Sequence, residues 1–194
     1  MPIIIAGAQA QSLKPVLGRC KTIQVEDPLT PEWVQKVSPS HLVSFGYRHI
    51  IPLTVIDLLP NPPINIHISL LPWNKGRNPN FWSWYENTPK GVTIHEITQG
   101  LDEGPVLASR EVNFSPTDTL RSSYGLLLSA GLSLFNQHWD NIRLNRLDAQ
   151  MQETKGSSHT QAEFDRLDNF LDNGWDTLCS TVSARGQARG AWLC

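Results

Sequence analysis

The chain has 194 residues, 40% of them hydrophobic, and a formal net charge of −2. A chain of this length can bury most of its apolar surface, so we expect one compact domain with a small appendage. The weak negative charge would not attract a polyanion, and the apolar runs are far shorter than the ~20 residues that cross a bilayer, so neither nucleic acid nor a membrane is an expected partner.

The N-terminal half is predicted to alternate strands with helices. Short apolar runs predict strands at Pro2–Gly7, Thr22–Val25, His41–Tyr47 and Ile64–Ser69. One helix is predicted at Gln11–Leu17 and another at Pro52–Leu59. Between them, a helix is predicted to begin at Pro31, with Thr30 as its N-cap. Because strand and helix alternate, we predict an α/β fold with a mostly parallel central sheet and right-handed crossovers.

A long polar and aromatic segment, Leu71–Pro89, follows these units and is predicted to be a loop. Loops of this length are usually functional or disordered, and disordered segments are poor in aromatic residues, so we expect a functional loop. Phe81, Trp82 and Trp84 stand close to helical spacing, and at least two of the three are expected to pack inward.

The next segments are predicted to be two strands and a long helix. The strands, Gly91–Ile97 and Pro105–Val112, are joined by a loop with two glycines. Ser115–Asp118 is typical of a helix start. The helix that follows is amphipathic, with inward positions predicted at Leu120, Tyr124, Leu127, Leu128, Leu134, Phe135, Trp139 and Ile142.

The composition turns polar beyond Asn145, which predicts a domain boundary. We expect a catalytic domain at 1–145 and an appendage at 146–194, with one helix near Glu163–Leu171, that packs on the core or mediates oligomerisation. The cysteines, Cys20, Cys179 and Cys194, are odd in number and widely spaced. This favours free thiols in a reducing compartment over a disulfide framework or a metal site. Since the N-terminus also lacks signal-peptide features, a cytoplasmic protein is expected.

Polar side chains converge on one face of the predicted strand Ile64–Ser69. The two-residue period of a strand places Asn65, His67 and Ser69 on one side and the isoleucines on the other. Ligands of open α/β sheets bind beyond the carboxyl ends of strands, and Asp102 could reach the same place from its glycine-flanked loop. Polar residues two apart in a strand are more often ordinary hydrogen-bonded residues than catalysts, so this pattern alone does not establish a site.

Three motifs nevertheless resemble the folate-dependent formyltransferases, the family that includes glycinamide ribonucleotide transformylase, methionyl-tRNA formyltransferase and the sugar N-formyltransferases. Asn65–Pro72 resembles the family's N-x-H-x-S-L-L-P signature, Gly91–His95 its G-V-T-I-H strand, and Gly100–Pro105 its G-L-D-x-G-P loop. The resemblance implies a Rossmann-like fold and a one-carbon group transferase. It assigns catalysis to Asn65, His67 and Asp102, with 10-formyltetrahydrofolate as co-substrate and no metal.

Acyl transfer explains why these residue types suit the reaction. Attack on a formyl carbon creates an oxyanion that needs hydrogen-bond donors, which the Asn65 amide and a protonated His67 can provide. The attacking amine must lose a proton while the leaving nitrogen gains one, and an imidazole supported by the Asp102 carboxylate can move that proton.

The resemblance also assigns ligand-binding residues. The segment Ser44–Pro52 is similar to the family segment that holds the pterin ring, and the loop before Asp102 would close over that ring. The implied cofactor-binding residues are Tyr47, Arg48, Ile50, Ile97 and Leu101. Ordinary core packing is the alternative for Tyr47 and Ile50.

The aromatic segment looks most like family members that formylate amino sugars or other small amines. Trp73 or Trp82 could stack on a sugar or base, Lys75 or Arg77 could meet a phosphate, and His95 could line the site. For His95 the alternative is a strand-end histidine with a backbone partner.

The sequence departs from the family in its first half. About sixty residues precede the Asn-x-His motif, so an N-terminally shortened fold is expected, and the glycine-rich phosphate turn of the purine enzyme is missing. A small-molecule amine therefore fits better as the acceptor than glycinamide ribonucleotide or tRNA, and a homodimer is the expected assembly. Hydrolysis of 10-formyltetrahydrofolate and a non-catalytic folate-binding module remain alternatives.

Overall fold

The structure is a computed structural model that describes residues 1–167 and 170–192. The chain forms two compact units, each built from three segments. Unit 1 comprises Met1–His67, Ile94–Ala108 and Leu132–Gln152, and unit 2 comprises Ile68–Thr93, Ser109–Gly131 and the described part of Glu153–Cys194. The division at residue 145 remains a prediction.

A six-stranded sheet with the order β2-β1-β3-β4-β6-β7 organises the fold. Its strands are β1 (Ile3–Ala6), β2 (Thr22–Val25), β3 (His41–Phe45), β4 (Ile64–His67), β6 (Gly91–Glu96) and β7 (Val106–Glu111). The first four pair in parallel. The Ile97 N–H donates to the Pro63 carbonyl, and the Glu96 N–H to the Pro105 carbonyl, so β6 runs antiparallel to both neighbours. The predicted mostly parallel α/β sheet is confirmed.

The helices of the first half are shorter than predicted. They are α1 (Lys14–Leu17), which follows a 3₁₀ turn at Ala10–Leu13, α2 (Pro31–Val37) and α3 (Leu53–Ile56). The predicted cap is present, since the Thr30 hydroxyl accepts from the Trp33 N–H at 3.3 Å. These elements enclose a core of unit 1 formed by Ile4, Leu29, Val34, Leu42, Ile51 and Val55.

The prediction that Leu71–Pro89 is a loop throughout is wrong. This segment contains β5 (Lys75–Gly76) and α4 (Pro79–Tyr85). The helix forms because Phe81, Trp82 and Tyr85 bury their rings in the core of unit 2, and that burial outweighs the turn-forming prolines and asparagines around them. Phe81 and Trp82 are buried and Trp84 only half-buried, as the spacing predicted for two of the three.

The long helix α5 (Leu120–Ile142) confirms the predicted amphipathic pattern except at Tyr124, and Leu128 is only half-buried. Leu120, Leu127, Leu134, Phe135, Trp139 and Ile142 are buried. Tyr124 is 39% exposed, contrary to prediction. Its hydroxyl can stay hydrated while the ring lies on the surface, so its presence in the apolar stripe is a poor guide to burial.

The C-terminal segment contains more structure than predicted. Besides β8 (Ser158–His159) and α6 (Gln161–Asp165), it forms α7 (Cys179–Ala188), which packs in the core of unit 2 through Cys179 and Val182. The predicted helix near Glu163–Leu171 is present only as α6, and its part at 168–169 lies outside the described residues.

The described cysteines, Cys20 and Cys179, are free thiols, and Cys194 lies outside the described residues. Burial raises the pKa of Cys179 to about 11, so its thiol stays protonated and unreactive at neutral pH. Within the described chain, none of the helices combines the length and apolar character that a membrane span requires.

Replacement of Gly7 by alanine should destabilise unit 1. Gly7 has φ +110°, and an added Cβ would lie 2.4 Å from the Tyr47 nitrogen and 2.5 Å from the Phe45 oxygen. We expect a loss of about 2 kcal/mol or more in the free energy of unfolding, measured by urea denaturation. Gly18→Ala, which shares a positive φ but has open space around it, should cost less. Equal losses of unfolding free energy in the two variants would show that the close contacts of a Cβ at position 7 do not destabilise the fold.

Candidate functional site

Strand β4 presents the predicted polar face in unit 1. Ile64 and Ile66 are buried on one side, while Asn65 and His67 project from the other. In the parallel pairing of β3 with β4, Ser44 stands beside Asn65, so residues just after β3 lie beside His67. His67 is the last residue of β4, at the carboxyl edge of the parallel strands, where α/β folds place their ligands.

Asp102 reaches this face from the loop between β6 and β7. Its carboxylate lies 3.3 Å from the Asn65 amide nitrogen and 3.6 Å from His67 Nδ1. The His67 contact is longer than a hydrogen bond, which is common in catalytic sites without substrate. The structure therefore brings together the three side chains that the motifs predicted to be catalytic.

His95, on β6, is a fourth member of the cluster. Its Nδ1 lies 2.8 Å from the Glu96 carbonyl, its Nε2 lies 3.2 Å from the Asn65 amide nitrogen, and the same Nε2 lies 3.4 Å from Asp102. A carbonyl oxygen only accepts, so Nδ1 carries a hydrogen, and in the neutral tautomer that follows Nε2 can accept from Asn65. His95 has the backbone partner that the structural alternative expected, and it also holds the Asn65 side chain.

These contacts engage both hydrogens of the Asn65 amide. One is within reach of His95 and the other of Asp102, at 3.2 and 3.3 Å between heavy atoms. Both distances are at the long end for hydrogen bonds, so either contact can be exchanged at low cost. Asn65 can donate to an oxyanion once one of these hydrogens is released.

The loop that carries Asp102 has a constrained backbone. Asp102 adopts φ +53°, a left-handed conformation that is uncommon for residues other than glycine. A Cβ on Gly104 would lie 1.9 Å from the Glu96 carbonyl oxygen, so only glycine fits the close approach of the loop to β6. The Gln152 side chain also contacts this loop, and no sequence motif pointed to it.

The predicted cofactor-binding residues Tyr47, Arg48 and Ile50 follow β3. The Tyr47 hydroxyl donates to the Asp27 carbonyl and accepts from the Leu29 N–H, and burial raises its pKa, so it remains a neutral phenol. Arg48 is exposed, and the Ile50 side chain is 78% exposed. Among the described residues, the backbone N–H and carbonyl groups of Arg48 and Ile50 make no hydrogen bond.

Ile97 and Leu101 precede Asp102 in the segment between β6 and β7. Ile97 is half-buried beside the core of unit 1, and Leu101 is 53% exposed. Ile50 and Leu101 are thus large apolar side chains left in water, a feature that often marks a ligand or partner surface.

The residues predicted to bind the acceptor, Trp73, Lys75 and Arg77, lie in unit 2. Trp73 is half-buried and Arg77 exposed. Lys75 is only 5% exposed, and its Nζ donates to the Lys155 carbonyl, so little of this side chain is accessible to a phosphate. Ser69 donates to the Trp73 carbonyl at 2.7 Å and so fixes the start of this segment.

A buried polar cluster in unit 2 holds β5 against β8. The Glu86 carboxylate accepts from Asn74 at 3.1 Å and from Ser157 at 3.0 Å, and it pairs with His159 at 2.9 Å. The His159 ring stacks on Trp82 with centroids 3.9 Å apart. This cluster explains why the sequence forms β5 and β8, and why Trp82 is not available for stacking on a ligand.

A cavity of about 270 Å³ in unit 1 lies apart from the predicted site residues. His41, Ile64, Glu96 and Trp139 are among the residues that line it, and Asn65, His67 and Asp102 are not. Burial lowers the pKa of His41 and raises that of Glu96, so the cavity favours the neutral forms of both groups. In the described part of the chain, no cluster of three or more His, Cys, Asp or Glu side chains is placed to hold a metal ion.

A sequence model of the formyl transferase family matches residues 17–138, more than half of the chain. A curated relative, the dTDP-4-amino-4,6-dideoxyglucose formyltransferase of Mycobacterium tuberculosis, is 32% identical over 126 residues. That match covers 65% of this chain and 53% of the relative, so the chain spans about half the length of the curated relatives it matches.

Solved structures are also similar. The formyltransferase PseJ from Anoxybacillus kamchatkensis, in complex with UDP-4,6-dideoxy-4-formamido-L-AltNAc and tetrahydrofolate, is 35% identical with a TM-score of 0.90, covering 96% of this chain and 100% of that chain. The N-formyltransferase from Helicobacter canadensis, in complex with folinic acid and dTDP-3-aminofucose, is 19% identical with a TM-score of 0.72, covering 96% of this chain and 80% of that one. At this lower identity the likeness concerns the fold alone.

Proposed function

Because the chain belongs to the formyl transferase family, we propose that it transfers a formyl group from 10-formyltetrahydrofolate to the primary amine of a nucleotide-linked amino sugar. The single observation that carries the proposal is the meeting of an amide, an imidazole and a carboxylate, those of Asn65, His67 and Asp102, at the end of β4. Similar proteins support the choice of substrates, since one was solved with tetrahydrofolate and a UDP-linked formamido sugar.

The proposed chemistry is general acid–base catalysis with oxyanion stabilisation. 10-Formyltetrahydrofolate supplies the formyl carbon that the amine attacks. As the C–N bond forms, negative charge develops on the formyl oxygen, where protonated His67 and the Asn65 amide donate hydrogen bonds. His95 orients Asn65, because its Nε2 accepts from the same amide group.

Asp102 and His67 handle the proton in this proposal. The carboxylate lies 3.6 Å from Nδ1 of His67, a distance from which it can orient the ring once the contact tightens around the substrates. The amine proton leaves the attacking nitrogen, and the folate nitrogen gains a proton as the C–N bond to the formyl group breaks. Protonated His67 gives its proton to the folate nitrogen, and the neutral imidazole then takes the proton that the former amine loses, so His67 returns to its starting form and no covalent enzyme intermediate is required.

The folate is proposed to bind beside β3 and the Asp102 loop. The backbone groups of Arg48 and Ile50, which lack partners within the described chain, suit the hydrogen-bonding edge of a pterin ring. The exposed Ile50 and Leu101 side chains and the half-buried Ile97 provide apolar surface for the ring. Tyr47 is proposed to shape this site through its ring, because its hydroxyl is already held by Asp27 and Leu29.

Trp73 and Arg77 are the better candidates for the acceptor, because Trp73 is partly accessible and Arg77 exposed, whereas Lys75 is buried. The proposal extends to a cytoplasmic enzyme of one-carbon metabolism, because the free thiols of Cys20 and Cys179 suit a reducing compartment. It also extends to a homodimeric assembly. The domain division at residue 145 and the role of 146–194 in packing or assembly belong to the same proposal.

One assay separates transfer from the alternatives. Purified protein is supplied with 10-formyltetrahydrofolate, with and without UDP- and dTDP-linked amino sugars and simple primary amines, and tetrahydrofolate release is followed. We expect release that depends on an amino sugar nucleotide, because the amine is the nucleophile. The matched control is the corresponding nucleotide sugar with a hydroxyl group in place of the amine, which should give no release.

Two results would contradict the proposal. Release that is independent of any amine would indicate hydrolysis, with water as the nucleophile. Folate binding without release under any condition would indicate a non-catalytic module.

A further inference from the structure

The side-chain amide of Gln152 bridges two carbonyls of the loop that carries Asp102. Its Nε2 lies 2.9 Å from the Asp102 carbonyl oxygen and 2.9 Å from the Gly104 carbonyl oxygen. A side-chain amide nitrogen has two hydrogens, and both carbonyls only accept, so the orientation of the amide is fixed. Gln152 therefore contacts the loop by donation alone.

The backbone before Gln152 is paired with the edge of the sheet. Gln150 exchanges two hydrogen bonds with Val106, at 2.8 and 2.7 Å, in antiparallel orientation. Continuing this register places Gln152 opposite Gly104. β7 is an edge strand, and the side chain of Gln152 supplies donors at the point where backbone pairing ends and the loop begins.

The loop needs such support because its conformation is unfavourable without it. Asp102 holds a left-handed φ of +53°, and unfavourable backbone angles persist only where surrounding contacts determine them. Within the loop itself, the hydrogen bond from the Glu103 N–H to the Gly100 carbonyl is long, at 3.4 Å. The two hydrogen bonds that Gln152 donates are shorter, at 2.9 Å each, and one of them is to the backbone carbonyl of Asp102.

We propose that Gln152 is a positioning residue, which keeps the Asp102 carboxylate where it can support the protonated form of His67. The proposal rests on the proposed transfer reaction and adds a residue from beyond α5 to it. The Asp102–His67 distance is already 3.6 Å, so a small movement of the loop would weaken the interaction further. The Gln152 Oε1 is buried and has no hydrogen-bond partner among the described residues, which indicates that the residue serves through its N–H groups.

The test compares a donor-free substitution with a neighbouring control. Gln152→Met keeps the length of the side chain and removes both donors, and Gln152→Ala shortens it. Gln150→Ala is the matched control, because Gln150 is exposed and pairs with Val106 through its backbone. For each variant we would measure kcat, KM for 10-formyltetrahydrofolate, the pH profile of kcat, binding of 5-formyltetrahydrofolate, and hydrogen–deuterium exchange of the peptide covering 98–105.

We expect Gln152→Met to lower kcat about 10-fold, since misplacement of a catalytic group costs ~10- to 100-fold, and to weaken folate binding by a smaller factor, because the segment after β3 also contributes to the proposed folate site. Its pH profile should change in the same direction as that of Asp102→Asn. Exchange in 98–105 should accelerate, while Gln150→Ala behaves as the wild type.

Wild-type kcat, an unchanged pH profile or unchanged exchange in Gln152→Met would overturn the inference. A loss of kcat that only follows a loss of folded protein would assign Gln152 a structural role and overturn it as well. Failure of the proposed function is a separate result, since it would appear as wild-type protein without amine-dependent turnover, whatever the variants do. The exchange measurement needs no turnover and still tests the loop in that case.

Discussion

His67→Ala should reduce kcat for formyl transfer by about 10³-fold, since general acid–base catalysis contributes ~10² to 10⁴-fold. In the proposed reaction, His67 donates to the developing oxyanion and relays the proton. His95, the nearest candidate to replace it, uses Nδ1 on the Glu96 carbonyl and Nε2 on Asn65.

Folate binding should survive this substitution, because the proposed pterin contacts come from the segment after β3 and from the Asp102 loop. Steady-state kinetics and titration with 5-formyltetrahydrofolate would measure the two effects separately. His138→Ala is a suitable control, since His138 is a half-buried histidine on α5 outside the cluster. Turnover near the wild-type rate in His67→Ala would remove His67 from the mechanism.

Asp102→Asn should lower kcat by roughly 10²-fold, because a neutral amide supports the imidazolium much less than a carboxylate does. Asparagine is the informative replacement at this position. It tolerates the left-handed φ of +53° nearly as well as aspartate, so the loop should keep its shape while the charge is lost.

The pH profile provides the sharper evidence for the role of Asp102. In the proposed mechanism the charge of Asp102 acts on the proton transfer by His67, so replacing the carboxylate by an amide should change the pH dependence of kcat as well as its magnitude. Glu103→Gln removes a neighbouring exposed carboxylate and should leave both unchanged. An Asp102→Asn enzyme with the wild-type pH profile would show that Asp102 does not act on His67.

The meeting of Asn65, His67 and Asp102 could be predicted from sequence because the strand pattern agreed with the family motifs. The period of a strand placed Asn65 and His67 on one face, and parallel strands bring their carboxyl ends to one edge. Asp102 belongs to a family motif and lies in a glycine-flanked loop after a neighbouring strand, from which it could reach the same edge of the sheet. The role of His95 in holding Asn65 needed coordinates, since its contacts join β6 to β4.

The errors have a common physical cause, which is tertiary packing that local pattern does not reveal. Prolines and asparagines in Leu71–Pro89 favoured a loop, but burial of Phe81, Trp82 and Tyr85 produced α4. Helix α7 was missed because its buried residues, Cys179, Val182 and Gly186, are small and give a weak apolar period. Gln152 carried no signal, because it acts through a side-chain contact about fifty residues away in sequence.

The most direct test of the central claim is to follow the carbon that is transferred. Wild-type protein would be incubated with 10-formyltetrahydrofolate labelled with ¹³C in the formyl group and with a UDP-linked amino sugar, and the products analysed by mass spectrometry and NMR. The account predicts that the label appears as a formamide carbon on the sugar nitrogen, and that His67→Ala fails to produce it. Label recovered only as formate, or equal amounts of formamide with and without His67, would contradict it.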